Sequence, residues 1–173
     1  MKAFATFALL SVLGVGLVYG TAHTAPPPVL LSFQTMYGVD GPFLQNLHHP
    51  VRHVRGDELP WELKSAEGSV DTNGHIVIHV RGLVFADDPS VPIQLRGKND
   101  APEFRALVSC ITETSETAIR HVKVLTEGFP ANEDGNADID AQVELPNPCV
   151  APVVFVLPGD EKLWFAVTGF ESD

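Results

Sequence analysis

Pro148-Cys-Val-Ala-Pro-Val-Val-Phe-Val-Leu157 is the stretch that decides the fold. It combines an almost uninterrupted apolar run, typical of a buried strand, with one of the two cysteines in the chain. The other cysteine, Cys110, stands near the end of the apolar run Phe104–Ile111. A bond between Cys110 and Cys149 would therefore join two core strands that lie far apart in sequence.

The amino terminus reads as a secretory signal peptide spanning residues 1–22. Lys2 is followed by an uncharged, apolar run that ends at Gly20. A membrane anchor is the competing interpretation, but the run breaks into a polar, proline-rich stretch without stop-transfer charges. Small residues favour cleavage after Ala22, although cuts after Gly20 or Ala25 are alternatives. The expected mature chain has a flexible leader at 23–28 and a single domain at 29–173.

Charge and hydropathy restrict the partners. The formal net charge is −11 at pH 7, so the surface repels nucleic acid and anionic lipid. No apolar run after the leader is long enough to span a bilayer. We therefore expect a secreted, extracellular protein that binds no nucleic acid and has no membrane span in its mature chain.

Export supports the cysteine pairing, because oxidising compartments favour disulfides. Closing the loop between Cys110 and Cys149 would stabilise the fold by roughly 4 kcal/mol in the chain-entropy model. Two free buried thiols are the alternative. Neither cysteine belongs to a Cys-x-x-Cys pair, so a catalytic role is not indicated.

Short alternating segments separated by turn residues indicate an all-β fold. Asn73-Gly74 predicts a tight hairpin, and 137–145 alternates apolar and acidic residues as a half-buried strand does. Residues 158–161 predict a second hairpin. Residues 119–126 favour a strand, with a short helix at 115–122 as the alternative. The pattern predicts a two-sheet antiparallel sandwich of eight or nine short strands, or alternatively a small closed β-barrel.

Two long segments without periodicity, Phe43–Pro60 and Asp87–Asp100, are expected to be surface loops, where binding sites concentrate. The leading hypothesis is a secreted, non-catalytic binding or surface-associated module whose unknown ligand contacts these loops. Carbohydrate is one candidate ligand, since Trp61 and Trp164 could stack on sugar rings, although tryptophan in a sandwich is more often core. A loop site would gather Tyr37, Trp61 or the histidines with charged groups into one concave patch; a passive module would leave them scattered.

The first loop contains Arg52 and Arg55, two of the charged side chains that a concave binding patch would need. The same loop supports a rival function, a copper-dependent oxidoreductase of the histidine-brace type. A mature chain beginning at His23 would present an amine and an imidazole to copper. The further ligand would come from His48, His49 or His53.

Other chemistry is less well supported. His75 and His79 face outward on one strand about 13 Å apart, too far for one metal. The acidic run Glu133–Asp140 offers carboxylates to calcium, but a solvated loop leading into a strand with an acidic face is the favoured interpretation. No Gly-x-Ser-x-Gly or His-Glu-x-x-His motif occurs. We therefore assign no catalytic residue and no cofactor, which favours a protein that is not an enzyme without deciding the question.

The motifs that carry a family resemblance are Ser32–Phe43, Leu59–Trp61, Gly74–Leu83, Phe104–Ala106, Val108–Cys110, Leu145-Pro146, Pro148–Pro152 and Trp164–Gly169. Together they resemble a family of small secreted microbial proteins of uncharacterised function. The resemblance covers most of the mature chain and implies a disulfide-bearing extracellular β domain, with no activity, ligand or catalytic residue to transfer. The basic stretch His48–Arg55 and the acidic tail depart from the family pattern.

Overall fold

The computed structural model describes residues 25–45, 49–113, 118–159 and 163–169. The part of the chain 1–22 on which the signal peptide was predicted lies outside these ranges. The strands are β1 (Val29–Phe33), β2 (Tyr37–Gly38), β3 (Arg55–Gly56), β4 (Trp61–Glu62), β5 (Ser65–Asp71), β6 (His75–Arg81), β7 (Val84–Phe85), β8 (Glu103–Glu113), β9 (Ile119–Leu125), β10 (Phe129–Pro130), β11 (Ala137–Gln142), β12 (Val150–Pro158), β13 (Leu163–Trp164) and β14 (Ala166–Val167). The helical element found in these ranges is a 3-10 turn at Gly41–Phe43.

Two antiparallel sheets form the sandwich. The first has the order β1-β5-β6-β11, and the second the order β10-β8-β12-β14-β2, with β9 also paired to β8. Neither sheet closes on itself, so the all-β sandwich prediction is confirmed and its closed alternative is not. The strand count differs from the prediction: the described residues hold seven strands of five or more residues and seven of two. Two-residue strands have no periodicity by which a sequence could reveal them.

The core lies between the two sheets and follows the period of two. In β6, Ile76, Ile78 and Val80 are fully buried, and in β11 burial alternates strictly from Ala137 to Gln142. In β8 the even-numbered side chains from Phe104 to Cys110 face this core and are fully buried. Apolar alternation of this kind is what a sheet with one buried face requires.

The predicted disulfide is confirmed. Cys110 of β8 and Cys149, the residue before β12, are bonded with a Cα–Cα distance of 4.9 Å. Strands β8 and β12 are direct neighbours, with Val154 opposite Val108. The bond therefore ties together the two longest strands of the second sheet.

The hairpin predicted at Asn73-Gly74 joins β5 to β6, as expected. The turn differs in detail, because Gly74 has a φ of +83° while Asn73 keeps a negative φ. The carboxylate of Asp71 accepts hydrogen bonds from the backbone amides of Asn73 and His75 at 2.8 and 3.0 Å. This side-chain cap supports a longer loop with one left-handed residue, in place of a two-residue turn with two.

The carboxyl-terminal strands also form, with one departure. β12 pairs with β14 as the predicted second hairpin, and residues 119–125 form β9 and not a helix. Between the hairpin strands, β13 leaves the second sheet and runs parallel to β3. Within the described ranges, no helix is long and apolar enough to cross a membrane.

The segment 49–56 corrects the expectation that Phe43–Pro60 is a surface loop. Phe155 and Leu157 point away from the main core, yet both are buried, so the outer face of the second sheet is covered. Val54 is itself buried, and its carbonyl accepts a hydrogen bond from the indole of Trp164 at 3.2 Å. Residues 49–56 thus form part of a third layer over this face.

Candidate functional site

A groove of about 330 Å³ opens where the segment 49–56 meets the outer face of the second sheet. Aliphatic side chains from four strands form its floor, and cationic or imidazole groups stand at its rim. We call it the basic groove. Its lining residues are His53, Val54, Arg55, Leu107, Lys123, Leu125, Leu157 and Leu163.

Strand register explains why these side chains meet. Leu125 of β9 lies opposite Leu107 of β8, and Lys123 lies opposite Ser109, so alternate residues of both strands face outward together. Leu157 belongs to the same face of β12. The parallel pairing of Leu163 with Arg55 then closes the groove from the other side.

A strained turn forms one wall. Arg52 and His53 have φ angles of +50° and +61°, and Val51 and Val54 exchange hydrogen bonds around them at 2.8 and 3.0 Å. Positive φ at both central residues is the pattern of a type I′ turn, which favours glycine and asparagine. Left-handed backbone costs other residues roughly 1–2 kcal/mol each. Strain of this kind concentrates at functional sites, where it presents side chains in a fixed direction.

The turn is held over β8 by contacts to the two strands that flank it. Arg52 donates a hydrogen bond from Nη2 to the carbonyl of Ala151 at 2.9 Å. Lys123 donates from Nζ to the carbonyl of His53 at 2.8 Å. The imidazoles of His53 and His121 meet edge to face, with ring centroids 5.1 Å apart. Basic side chains from three segments of the chain are therefore gathered on one surface.

The cations of the basic groove differ electrostatically from several others in the protein. Arg81, Arg96 and Lys98 each form an ion pair with a carboxylate. By contrast, Arg55 and Lys123 form no ion pair within the described ranges, and no carboxylate lines the basic groove. In a chain of net charge −11, this is a local reversal of sign.

A buried hydroxyl lies beneath this surface. Ser109 is fully buried on β8, directly opposite Lys123, and among the described residues its Oγ has no hydrogen-bond partner. Buried hydroxyls ordinarily have a partner, so each exception in a folded protein calls for an explanation. The outer face of β8 therefore buries apolar side chains together with the Ser109 hydroxyl, which can still form a hydrogen bond and lies next to Lys123.

The structure brings together only part of the proposed copper site. His23 and His48 lie outside the described residues, and His49 is exposed. His53 contacts His121, which no pattern in the sequence connects with it. No group of three potential metal ligands occurs within 25–45, 49–113, 118–159 and 163–169. The guanidinium of Arg52 lies 3.5 Å from Nδ1 of His121, where its charge would oppose a bound cation.

The other histidine and carboxylate candidates are engaged with each other. His75 and His79 face outward as predicted, and they contact Asp140 and Asp138 across β11 at 2.8 and 2.7 Å. His79 and the guanidinium of Arg81 both lower the pKa of Asp138. Two of the four carboxylates proposed for calcium, Asp138 and Asp140, thus serve as partners in exposed cross-strand pairs, which stabilise a sheet only modestly.

A second cavity, of about 370 Å³, lies between the two predicted loops. Its floor includes Trp61 and Phe85, and its polar groups are the carboxylates of Asp57, Glu58 and Asp100. Asp57 accepts a hydrogen bond from the indole of Trp61 at 2.6 Å. Because this carboxylate already has a structural partner, and because carboxylates are common on so acidic a chain, the cavity is the weaker candidate.

Burial raises the pKa of Asp57 above its ordinary value of 3.8, and the charges of Glu58 and Asp100 add to the effect. The hydrogen bonds from Trp61 and the Glu58 amide oppose it without cancelling it. A raised folded-state pKa means that the native protein binds the proton more tightly than the unfolded chain. The native state therefore loses stability as pH rises from 3.8 through the folded pKa.

The change in stability caused by Asp57→Asn should consequently be more favourable at pH 7 than at pH 3. Asparagine keeps an acceptor for the Trp61 indole and carries no charge at either pH. Thermal melts of both proteins at the two pH values measure this. The exposed Asp134→Asn is the control, for which the same comparison should show a much smaller dependence. A melting-temperature difference for Asp57→Asn that is unchanged between pH 3 and pH 7 would contradict the assignment.

The aromatic residues do not converge with the basic ones. Trp61 and Trp164 are 2% and 0% exposed, so neither offers a ring face to a sugar. Tyr37 donates a hydrogen bond to Asp40 and packs against Phe43, and it lines neither cavity. Of the two predicted alternatives, the tryptophans and Tyr37 are scattered, whereas the basic residues of the first loop lie close together.

Comparisons with models of known protein families, with curated proteins and with solved structures find no match.

Proposed function

We propose that this protein is a secreted, non-catalytic binding module whose extracellular ligand carries an anionic group beside an apolar one. The observation that carries the proposal is the basic groove, an aliphatic floor rimmed by Arg55, His53 and Lys123, where the described lining residues include no carboxylate. Apolar surface contributes affinity there, while a few convergent charges orient the ligand.

Net charge does not prevent an anion from binding at this place. At physiological ionic strength the Debye length is about 8 Å, so distant carboxylates are largely screened. A ligand inside the groove responds mainly to Arg55, Lys123 and the neighbouring Arg52. The acidic remainder of the surface slows approach and helps select against partners that would bind elsewhere.

Export is the second part of the proposal. It rests on the signal-like residues 1–22 and is supported by the disulfide, which persists in oxidising compartments. The non-catalytic assignment rests on the groove's lining, which consists of aliphatic side chains and of groups suited to holding an anion.

The fluorescent anion 8-anilinonaphthalene-1-sulfonate, which joins a sulfonate to aromatic rings, tests the groove. We expect saturable binding at one site per chain, and we expect the double variant Arg55→Glu with Lys123→Glu to weaken it by at least about tenfold, equivalent to about 1.4 kcal/mol. Added salt should weaken binding to the native protein as well.

Lys64→Glu is the matched control, since Lys64 is also an exposed cation without an ion pair in the described residues but lies outside the groove. Circular dichroism and thermal melting must show each variant folded. Equal binding by the native protein and the double variant, or equal weakening by Lys64→Glu, would refute the groove as the site.

A further inference from the structure

Strand β9 is an exposed sheet edge. It pairs with β8 over seven residues, from Leu107 opposite Leu125 to Glu113 opposite Ile119, and with no other strand in the described ranges. An antiparallel strand directs alternate backbone groups to each side. About half of the β9 amides and carbonyls therefore point away from β8, where they can pair with an added strand.

The side chains of this edge are basic and apolar. From Ala118 to Thr126 the chain contains no carboxylate, and it contains Arg120, His121 and Lys123. Ile119 and Leu125 are 70% and 45% exposed. His121, Lys123 and Leu125 share the outward face, so the edge continues directly into the basic groove.

This charge pattern distinguishes between occupants. Pairing with β9 of a second copy would bring two basic strands together, and like charges across a strand pair are destabilising. Lysine and arginine on edge strands ordinarily prevent self-pairing in this way. A strand that carries carboxylates meets the opposite condition, because its side chains would lie one strand spacing, about 4.8 Å, from the basic row.

We propose that the ligand of the basic groove is an extended acidic peptide segment that adds to the second sheet as a strand along the free edge of β9. This inference rests on the proposed function and names its ligand class. Backbone hydrogen bonds supply sequence-independent affinity, as in other β-augmentation complexes. Carboxylates on one face of the peptide contact His121 and Lys123, and an apolar side chain on that face reaches the groove beside Leu125.

The test uses a capped eight-residue peptide with valine at positions 1 and 7, glutamate at positions 3 and 5 and threonine at the even positions, so that one face of the strand carries both the carboxylates and an apolar side chain. Two N-methylated forms of it are compared with the parent. One form is methylated on alternate residues in one frame and the other in the opposite frame, so each blocks a different edge of the peptide strand. We expect the parent to bind and one methylated form to bind at least about tenfold more weakly, while the other stays within about twofold. Alternate β9 amides should exchange at least about tenfold more slowly when the parent peptide is bound.

Three results would overturn the inference. If the parent binds, depends on Arg55 and Lys123, and tolerates methylation in both frames, the groove holds and the strand addition fails. If neither the peptide nor 8-anilinonaphthalene-1-sulfonate binds, the proposed function fails and takes the inference with it. If sedimentation shows a dimer in which the β9 amides are already protected from hydrogen exchange without peptide, the edge belongs to a second copy.

A peptide with lysine in place of glutamate tests the charge argument. It should bind at least about tenfold more weakly, and equal binding would count against the charge argument.

Discussion

Replacement of Trp61 by alanine is expected to lower the free energy of unfolding by about 4 kcal/mol, near the middle of the range for buried aromatic truncations. The indole is 2% exposed and stacks on Phe165 with ring centroids 3.7 Å apart. Phe85 packs on it at 4.2 Å. Alanine would leave a cavity among these rings and would also remove the hydrogen-bond donor to Asp57.

Denaturant unfolding at pH 7 measures the loss, and Trp61→Phe separates its two causes. Phenylalanine retains most of the stacking but has no N–H, so its cost should come mainly from the lost hydrogen bond to the partly buried carboxylate, about 1.5–3 kcal/mol, with a smaller contribution from the lost side-chain volume. If Trp61→Ala lowered the free energy of unfolding by less than about 1 kcal/mol, the aromatic cluster of Trp61, Phe85 and Phe165 would not be a main source of stability.

Removing the disulfide with Cys110→Ala and Cys149→Ala together is expected to cost roughly 4 kcal/mol, because the bond closes a loop of 39 residues in the unfolded chain. The dependence of stability on denaturant should steepen at the same time, since an unfolded chain without the bond exposes more surface. Both quantities come from one urea unfolding curve.

Reduction provides the internal control for this experiment. A thiol reductant should shift unfolding of the native protein toward that of the double variant and should leave the double variant unchanged. Superimposable curves for the oxidised native protein and the double variant would show that the bond contributes little to stability.

Local signals and the cysteines made much of the fold predictable from sequence. The Asn73-Gly74 hairpin and the alternating strand β11 follow patterns that are visible in the chain. The Cys110–Cys149 bond follows from two cysteines beside apolar runs in a chain that was expected to be exported. Most of the two-residue strands were not visible, because two residues show no period; β14 is the exception, since it lies in the predicted second hairpin. The parallel pairing of β13 with β3 joins segments more than a hundred residues apart, which no local pattern indicates.

The candidate site was predictable only in part for the same reason. The sequence shows a basic stretch in a predicted long loop, which contains Arg52, His53 and Arg55. His121 and Lys123 lay in a strand that the sequence indicated, but their meeting with His53 depends on the register of β8 against β9 and on where the turn crosses the sheet. The strain at Arg52 and His53 was hidden as well, since neither residue is typical of left-handed backbone.

The layer formed by residues 49–56 also links ligand affinity to the order of folding. Its anchoring contacts join residues 99 and 110 positions apart, Arg52 to Ala151 and Trp164 to Val54. Contacts of such high sequence separation carry a large loop-closure entropy, so we expect this layer to dock late, onto strands that are already assembled. The groove exists only once docking is complete. A ligand in the groove binds only the chain in which this layer is docked, so it shifts partly opened chains toward that state by mass action. Docking of the layer and binding of the ligand therefore form a single coupled equilibrium.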